Sequence, residues 1–496
     1  MTERIHNLIH GDWRPARSGD TLESVNPADT REVVASAPSS GARDVDEAVA
    51  AAKAAFGPWR AMPAPKRGEI LFRAAERLAR EKEALAIIVT REMGKVLAEA
   101  RGDVQEAIDM TYYMAGEGRR LSGETVPSEL PDKDAKSIRV PLGVCAQITP
   151  WNFPVAIPSW KITPALVAGN TVVLKPSAFT PLCATRFVQI LHEAGLPPGV
   201  LNLVHGHGEA VGEALAGHPD VAAVSFTGST AVGGRVEALC GRLHRPVTTE
   251  TGGKNPLIVM DDADLDLALE GALWGGFGTS GQRCTAASRV IVHRSVYEAF
   301  TARFVEAAAR LRLGPGLAPG TQVGPLINRS QQQKVLDCIA IGTQEGARLL
   351  CGGRAVTDGE LAHGHFIAPT VFGDVEPAMR IAQEEIFGPV VSLIPARDLA
   401  HAIEIANGTA YGLSAAIYTR DVNATAIAER DLDTGIVYIN ASTIGAEIQL
   451  PFGGTKQTGL GPREAGGRGG ALDLYTKWKV IYRDYSGKLQ KAQIDP

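Results

Sequence analysis

The chain predicts an α/β protein, on three observations. Strand-like and helix-like runs alternate through residues 143–260. A second alternating region fills 254–450. Near the end, Lys477-Trp-Lys-Val-Ile-Tyr-Arg483 alternates, with Trp478, Val480 and Tyr482 on one side. The first two patterns argue for parallel sheets covered by helices. The third reads as an exposed strand with an aromatic face, which needs a partner because bare edges invite pairing.

Taken in order, residues 1–40 read as short strands and turns, with Asn26-Pro27 a turn signal. From Asp44, a candidate N-cap, Val45, Ala48, Val49, Ala52 and Phe56 recur at helical spacing. Residues 66–118 continue as amphipathic helices, among them Glu69–Ile88. Around 120–142 the texture turns to Gly123, Pro127, Pro131, Pro141 and the charged Asp132-Lys-Asp134. This stretch reads as an excursion that joins the C-terminal strand in an arm on another subunit. Strands are expected at Val144–Ile148, Thr171–Leu174, Val200–Val204, Ala222–Phe226 and Pro256–Met260, with helices at 181–194, 209–216 and 231–240. Two glycine-bearing turns follow strands: Gly206-His-Gly208 and Phe226-Thr-Gly-Ser-Thr230. Neither fits GxGxxG, and on local spacing alone each reads first as a tight strand-to-helix turn. The second region holds a helical run from Leu265, the strand Ser288–His293, a helix over 295–311 and a Gly/Pro-rich connector over 314–325. No internal repeat of fixed period occurs.

Length and composition bound the function. At 496 residues the chain is too long for one ordinary core. With 50 basic and 55 acidic side chains it carries a formal charge of −5, so no strong field favours nucleic acid or an acidic membrane. No run of 18 apolar residues exists, and the first residues lack a basic-then-apolar signal pattern. The six cysteines (145, 183, 240, 284, 338, 351) show neither CxxC nor metal spacing, which points to a reducing compartment. A cytoplasmic enzyme without a metal is expected.

Three segments carry candidate chemistry. Thr279-Ser-Gly-Gln-Arg-Cys-Thr285 presents Cys284 after a flexible approach through Gly281. A lone cysteine is more often a buried, inert one. Glu250-Thr-Gly-Gly-Lys-Asn255 sets a carboxylate before two glycines, which suits a side chain presented on an irregular turn. A thiol and a carboxylate together supply a nucleophile and a base. Thr149-Pro-Trp-Asn-Phe-Pro154 opens a stretch with four prolines up to Pro164, expected to be a rigid, non-regular loop. Asn152 on it either donates to a developing oxyanion or satisfies the turn itself.

Together these segments resemble the aldehyde dehydrogenase superfamily. The segments Thr149–Pro154, Leu174-Lys-Pro-Ser177, Phe226–Thr230, Glu250–Lys254, Gly281–Thr285, Glu384-Glu-Ile-Phe-Gly-Pro389 and Pro451-Phe-Gly-Gly454 look like its successive signatures, in the family's order and spacing over nearly the whole chain. The resemblance implies a Rossmann-like parallel-sheet cofactor domain (1–118 and 142–252), an α/β catalytic domain (253–470) and a β-arm for oligomerisation (119–141 and 471–496), in a homodimer or homotetramer. It implies Cys284 as nucleophile, Glu250 as base and Asn152 as oxyanion donor, with Lys161 and Glu464 tuning the base or moving its proton; each of those two is equally a satisfied structural charge. For the cofactor it implies Thr149, Pro150, Trp151, Lys175, Ser177, Gly208, Gly228, Ser229, Glu385 and Phe387. Many NAD-preferring members carry a glutamate after the Lys-Pro-Ser segment; here that residue is Ala178, so NADP and NAD are both expected. The substrate implied is a small aldehyde. Arg283 resembles an arginine of relatives that handle carboxylated or phosphorylated aldehydes, and is equally a loop-packing residue. Gly445-Ala-Glu-Ile-Gln-Leu-Pro451 and the ending Asp484–Gln493 look like a bacterial and archaeal branch that includes α-ketoglutaric semialdehyde dehydrogenases and broad-range aldehyde dehydrogenases. Relatives that pass the acyl group to CoA lack the glutamate matching Glu250. A thiol hydrolase would leave the dinucleotide-type segments without a task, and a non-catalytic role would leave Cys284, Glu250 and Asn152 without one.

Overall fold

The computed structural model describes residues 2–494. Its first sheet has eight strands, in the spatial order Gly459–Leu460, Val247–Glu250, Val221–Thr227, Val144–Ile148, Thr171–Lys175, Leu201–Leu203, Asn7–Ile9 and Asp12–Arg14. The middle five are parallel, and antiparallel strands flank them at both edges. From Val144–Ile148 the chain builds outward to Leu201–Leu203, then restarts on the other side with Val221–Thr227. Strand order therefore reverses between Val144–Ile148 and Val221–Thr227. Ligands of such sheets bind in the crevice beyond the carboxyl ends of the strands at that reversal.

Each central strand is covered on both faces, which is why it reads as a continuous apolar run. Val144, Ala146 and Ile148 pack with the helix Ala42–Ala61 and with Val236 of the helix Thr230–Arg242. Cys145 points to the opposite layer, built on the helices Ala64–Met93, Leu97–Glu117, Ala156–Ala168 and Pro181–Glu193. This is the two-residue alternation of a strand between two helix layers.

The second sheet has seven strands, ordered Arg348–Cys351, Thr370–Gly373, Val390–Ala396, Ala287–His293, Asn255–Val259, Ser414–Tyr418 and Ile436–Ile439. All its pairings are parallel except the first. Ile258, Ile291, Ile394 and Ile417 fill one face, and Leu257, Val290, Leu393 and Ala416 the other. After this sheet the chain returns to the first. Gly459–Leu460 pairs with Val247–Glu250, and Phe452, Ala465, Leu472 and Tyr475 join the first region's core. Among the described residues no helix is long and apolar enough to cross a membrane.

The expected excursion and C-terminal strand meet. Thr476–Asp484 pairs antiparallel with Lys133–Pro141, which pairs with Glu124–Pro127. Trp478, Val480 and Tyr482 remain 47%, 58% and 67% exposed.

Three local expectations change. Asp44 is not the N-cap: the helix begins at Ala42 behind Gly41, and the Asp44 carboxylate, one turn in, accepts the Gly41 N–H (3.1 Å) and the Arg17 N–H (2.9 Å). The predicted helix at 209–216 starts as a π turn, Gly208–Gly212, before the α turn Glu213–Gly217. The proline-rich stretch is loop only to Val155, because the helix Ala156–Ala168 takes in Pro158 and Pro164. Pro158 sits in the first turn, where its missing N–H has no helical acceptor to lose.

Candidate active site

Cys284 follows a turn held against its own preference. Thr279, Ser280 and Gly281 have φ of 51°, 57° and 68°, a left-handed run that only surrounding contacts sustain. The Thr279 N–H donates to both oxygens of Glu99 (2.8 and 3.0 Å), and the Ser280 hydroxyl to the Gly324 carbonyl (2.7 Å). Gln282 donates to the Pro325 carbonyl (3.2 Å) and accepts from the Ile327 N–H (2.9 Å). At Gly281 a Cβ would run into the Gly388 carbonyl. Beyond the turn, Asn255 donates to the carbonyls of Cys284 (2.7 Å) and Ala286 (3.0 Å). The two glycines after Glu250 now have a reason. A Cβ on Gly253 would collide with the Cys284 carbonyl, and one on Gly252 would lie 2.6 Å from a Glu385 carboxylate oxygen. Burial, then the charges of Glu385 and Glu250, push the Cys284 thiol up to about 12, although the N–H groups of Thr285 and Cys284 act the other way. The resting group is a thiol, and it needs a base.

Glu250 ends the strand Val247–Glu250, against Gly453 and Gly459. It is 5% exposed, and its Oε2 lacks a hydrogen-bond partner. Burial, with the charge of Glu464 second, raises its carboxyl well above the usual range; Arg463 and Lys161 oppose this. Lys161 and Glu464 form a short, fully buried ion pair. Lys161 also donates to the Ser225 hydroxyl (2.7 Å), and the Thr227 hydroxyl donates to Glu464 (3.2 Å). Lys161 comes from the helix Ala156–Ala168, Ser225 and Thr227 from the switch-point strand, and Glu464 from the returning segment. A polar line thus runs from the first domain's interior to the charge beside Glu250.

Cys284 stands between two chambers. One, of about 120 Å³, is lined by Glu250, Glu464, Thr285, Phe153, Trp160 and Phe452. The other, of about 170 Å³, is lined by Trp151, Asn152, Gly228, Ser229, Glu385 and Phe387. Asn152 donates to the Gln282 carbonyl (3.2 Å), so its amide lies at the cysteine turn. Glu385 accepts the Gly253 N–H (3.0 Å). Phe387, left-handed at φ 59°, meets Trp151 edge-on at 5.4 Å.

The second chamber leads into a cleft of about 1010 Å³ at the strand reversal, lined by Thr149, Pro150, Trp151, Lys175, Ser177, Gly208, Gly228 and Ser229 among others. The helix Thr230–Arg242 starts there behind Ser229, which makes no side-chain cap, so its first N–H groups are available to an anion. Burial pushes the Lys175 ammonium down to about 8. A dinucleotide's pyrophosphate at that helix start and its ribose near Lys175 fit this donor set. Ala178 sits between two lining residues, Ser177 and Phe179, but packs on the cluster of Ile5, Leu22 and Leu182.

Arg283 lines the chamber that Glu250 lines, yet it is already engaged. It pairs with Glu99 (3.0 Å), donates to the Thr279 hydroxyl (2.9 Å) and lies 5.3 Å from the Phe153 ring centre. Both readings of Arg283 thus have support: it packs the loop and it faces the chamber. Sequence reasoning missed Gln331 and Lys334, which line the chamber of Trp151 and Asn152 from the helix Arg329–Gln344. Gln331 donates to the carbonyls of Ile386 (3.1 Å) and Phe387 (2.9 Å), holding the left-handed Phe387 in place. Nothing local marks them, because a polar residue one turn into an amphipathic helix reads as a solvated face.

The model of the aldehyde dehydrogenase family matches residues 13–481. The α-ketoglutaric semialdehyde dehydrogenase of Bacillus subtilis is 43% identical over 96% of this chain and 97% of its own length. The α-ketoglutarate semialdehyde dehydrogenase of Haloferax volcanii is 44% identical over 98% of this chain and 100% of its own. Among solved structures, a betaine aldehyde dehydrogenase from Staphylococcus aureus in complex with NAD+ superposes with a TM-score of 0.95 at 35% identity, covering 98% of this chain and 95% of that one.

Proposed function

The chain belongs to the aldehyde dehydrogenase family, and from that premise we propose how its residues divide the oxidation of an aldehyde to a carboxylic acid. Glu250 takes the proton of Cys284, directly or through water, and the thiolate attacks the aldehyde carbon to form a thiohemiacetal. The Asn152 amide and the Cys284 N–H hold the oxyanion; losing one such donor costs on the order of 10²–10³ in rate. NAD(P)+, when bound in the cleft, supplies the hydride acceptor. Collapse leaves a thioester on Cys284. Once it has released the thiol's proton to solvent, Glu250 deprotonates water, hydroxide adds to the thioester carbon, and the thiolate departs. Lys161 and Glu464 set the proton affinity of Glu250. Lys175 and Ser177 hold the adenosine ribose, Ser229 and the helix start the pyrophosphate, Glu385 the nicotinamide ribose, and Trp151 and Phe387 the nicotinamide. The observation that carries this reading is the place of Cys284 between the chamber lined by Glu250 and the chamber that opens to the cleft.

NADP+ is accepted alongside NAD+, because Ala178 puts no carboxylate beside Lys175 and Ser177. The substrate is a semialdehyde of the α-ketoglutaric type; the names of two relatives and the presence of Arg283 in the chamber support this. A second reading, broad use of neutral aliphatic or aromatic aldehydes, is favoured by the Arg283–Glu99 pair and the aromatic lining of Phe153, Trp160 and Phe452. Residues 1–118 and 142–252 serve as the cofactor domain and 253–470 as the catalytic domain, with the segment around Gly459–Leu460 tying the two. The exposed strand Thr476–Asp484 serves a homodimer or homotetramer. Six free cysteines suit a reducing cytoplasm.

Two variants test the reaction. Cys284→Ala abolishes aldehyde-dependent NAD(P)H formation while the cofactor still binds within a few fold. Glu250→Gln gives one burst of reduced cofactor and an acyl adduct on Cys284 by mass spectrometry. More than a few per cent of turnover in the first, or wild-type steady-state turnover in the second, removes the assignment.

A further inference from the structure

The chamber beside Cys284 opens outward into a vestibule of about 620 Å³, and Glu106, Phe153, Arg283 and Ala446 line both spaces. Carboxylates crowd this passage, but most are occupied. Glu99 is paired with Arg283 (3.0 Å), and Asp103 with Lys95 (3.1 Å). Asp109 accepts from Gln105 (2.8 Å) and Glu447 from Gln449, and both are exposed to solvent, where salt screens them. Glu106, from the helix Leu97–Glu117, lies at the junction with neither a hydrogen bond nor an ion pair among the described residues.

Resting on the semialdehyde reading above, we propose that Glu106 is a specificity-determining residue for the aldehyde's distal end: as a carboxylic acid it donates a hydrogen bond to an anionic tail, and as a carboxylate it repels that tail. The charge balance supports this. With Glu99 and Asp103 neutralised by Arg283 and Lys95, a protonated Glu106 leaves the inner passage without net charge. Ionised, it makes the passage anionic in the chamber that Cys284 also lines, the space open to the tail of a short semialdehyde whose carbonyl carbon reaches Cys284. Burial and the like charge of Asp103 push its carboxyl up to about 8, with Asp109 adding to this and Arg283 and Lys95 opposing it. Of the other titratable groups close by, burial pushes the Tyr438 hydroxyl and the Cys284 thiol up to about 12. Of the two further carboxyls that line the chamber, Glu464 is paired with Lys161, and burial favours the neutral form of Glu250. Glu106 is thus mostly the acid at pH 7. It loses its proton as pH rises through about 8.

The test compares 5-oxopentanoate with pentanal, equal in length, in the wild-type holoenzyme and in Glu106→Gln, from pH 6 to 10. Groups acting in the chemistry, Cys284 and Glu250 included, affect both aldehydes and cancel in the ratio of their kcat/KM values. In the wild type that ratio falls at least about tenfold between pH 7 and pH 9.5, the scale set by deprotonating one group near 8. In Glu106→Gln, which keeps a donor and cannot ionise, the ratio is flat. A flat wild-type ratio, or a fall that survives in Glu106→Gln, overturns the proposal alone. No turnover of 5-oxopentanoate at any pH with pentanal still oxidised overturns the semialdehyde reading, and the proposal with it.

Discussion

Glu250, the proposed base, sits where its surroundings favour the neutral carboxyl. Burial and Glu464 both favour the neutral carboxyl, and Lys161 and Arg463 oppose them. The sign of a Glu464→Gln change follows from those charges. The substitution removes a like charge and frees the ammonium of Lys161 to face Glu250. Both effects stabilise the ionised form, so the acid limb of deacylation moves to lower pH, by about one unit or more. Single-turnover hydrolysis of the acyl-enzyme against pH reads this directly. An upward shift would mean that Glu464 does not act on Glu250. Lys161 would also be left buried without its partner, at a stability cost of about 3–5 kcal/mol. A lowered Tm should accompany the kinetic shift. At the cofactor end, Ala178→Glu should cut kcat/KM with NADP+ at least tenfold, about 1.4 kcal/mol, while NAD+ use holds or improves. Ala178 packs against the small apolar cluster that includes Ile5 and Leu22, flanked by the cleft-lining residues Ser177 and Phe179. If the wild type rejects NADP+, or the glutamate leaves the ratio unchanged, side chains at 178 do not reach the ribose.

At the scale of an element, the turn before Cys284 stores backbone strain. Gly281→Ala places a Cβ at φ 68° and against the Gly388 carbonyl. The left-handed conformation alone costs about 1–2 kcal/mol for a residue with a Cβ. Cys284 lies three residues on, so relief of the clash moves the sulfur. A stability loss in urea together with a fall in kcat of about tenfold or more is expected, since small displacements of a reacting group carry costs of that order. Unchanged kcat with lowered stability would show that the Asn255 hydrogen bonds to the Cys284 and Ala286 carbonyls isolate the nucleophile from the turn.

For the whole molecule, the edge formed by Thr476–Asp484 is the feature that asks for a partner. Its three apolar side chains lie on one face of a paired strand, about half or more exposed. Arg139 covers Trp478 (4.6 Å) and Lys133 covers Tyr482 (5.4 Å), which leaves Val480 bare. A flat, apolar edge strand is a pairing template. If this edge builds the proposed homo-oligomer, replacing Val480 and Tyr482 together with glutamate gives smaller species than the wild type by sedimentation velocity, with the fold retained by circular dichroism. An unchanged sedimentation coefficient would assign oligomerisation, if any, to another surface.

Local pattern alone determined the two alternating regions, nearly every central strand and the order of the signature segments. Buried parallel strands are continuous apolar runs, and their turns need glycine or proline at fixed places. Cys284 and Asn152 stood out as candidates because each lies on backbone that the sequence marks as irregular, and Glu250 because two glycines follow it directly, at the end of its strand. Prolines misled where a helix's first turn tolerates them, as at Pro158. Only the tertiary structure decided which charges meet. Lys161 and Glu464 are 303 residues apart, and Glu99 reaches Arg283 across 184. The pairing of Arg283 with Glu99, the solitary Glu106 and the support of Phe387 by Gln331 all depend on how two domains and a returning segment pack. Spacing along a chain carries no record of contacts at such separations, because they are set by the packing of whole sheets rather than by local conformational preference.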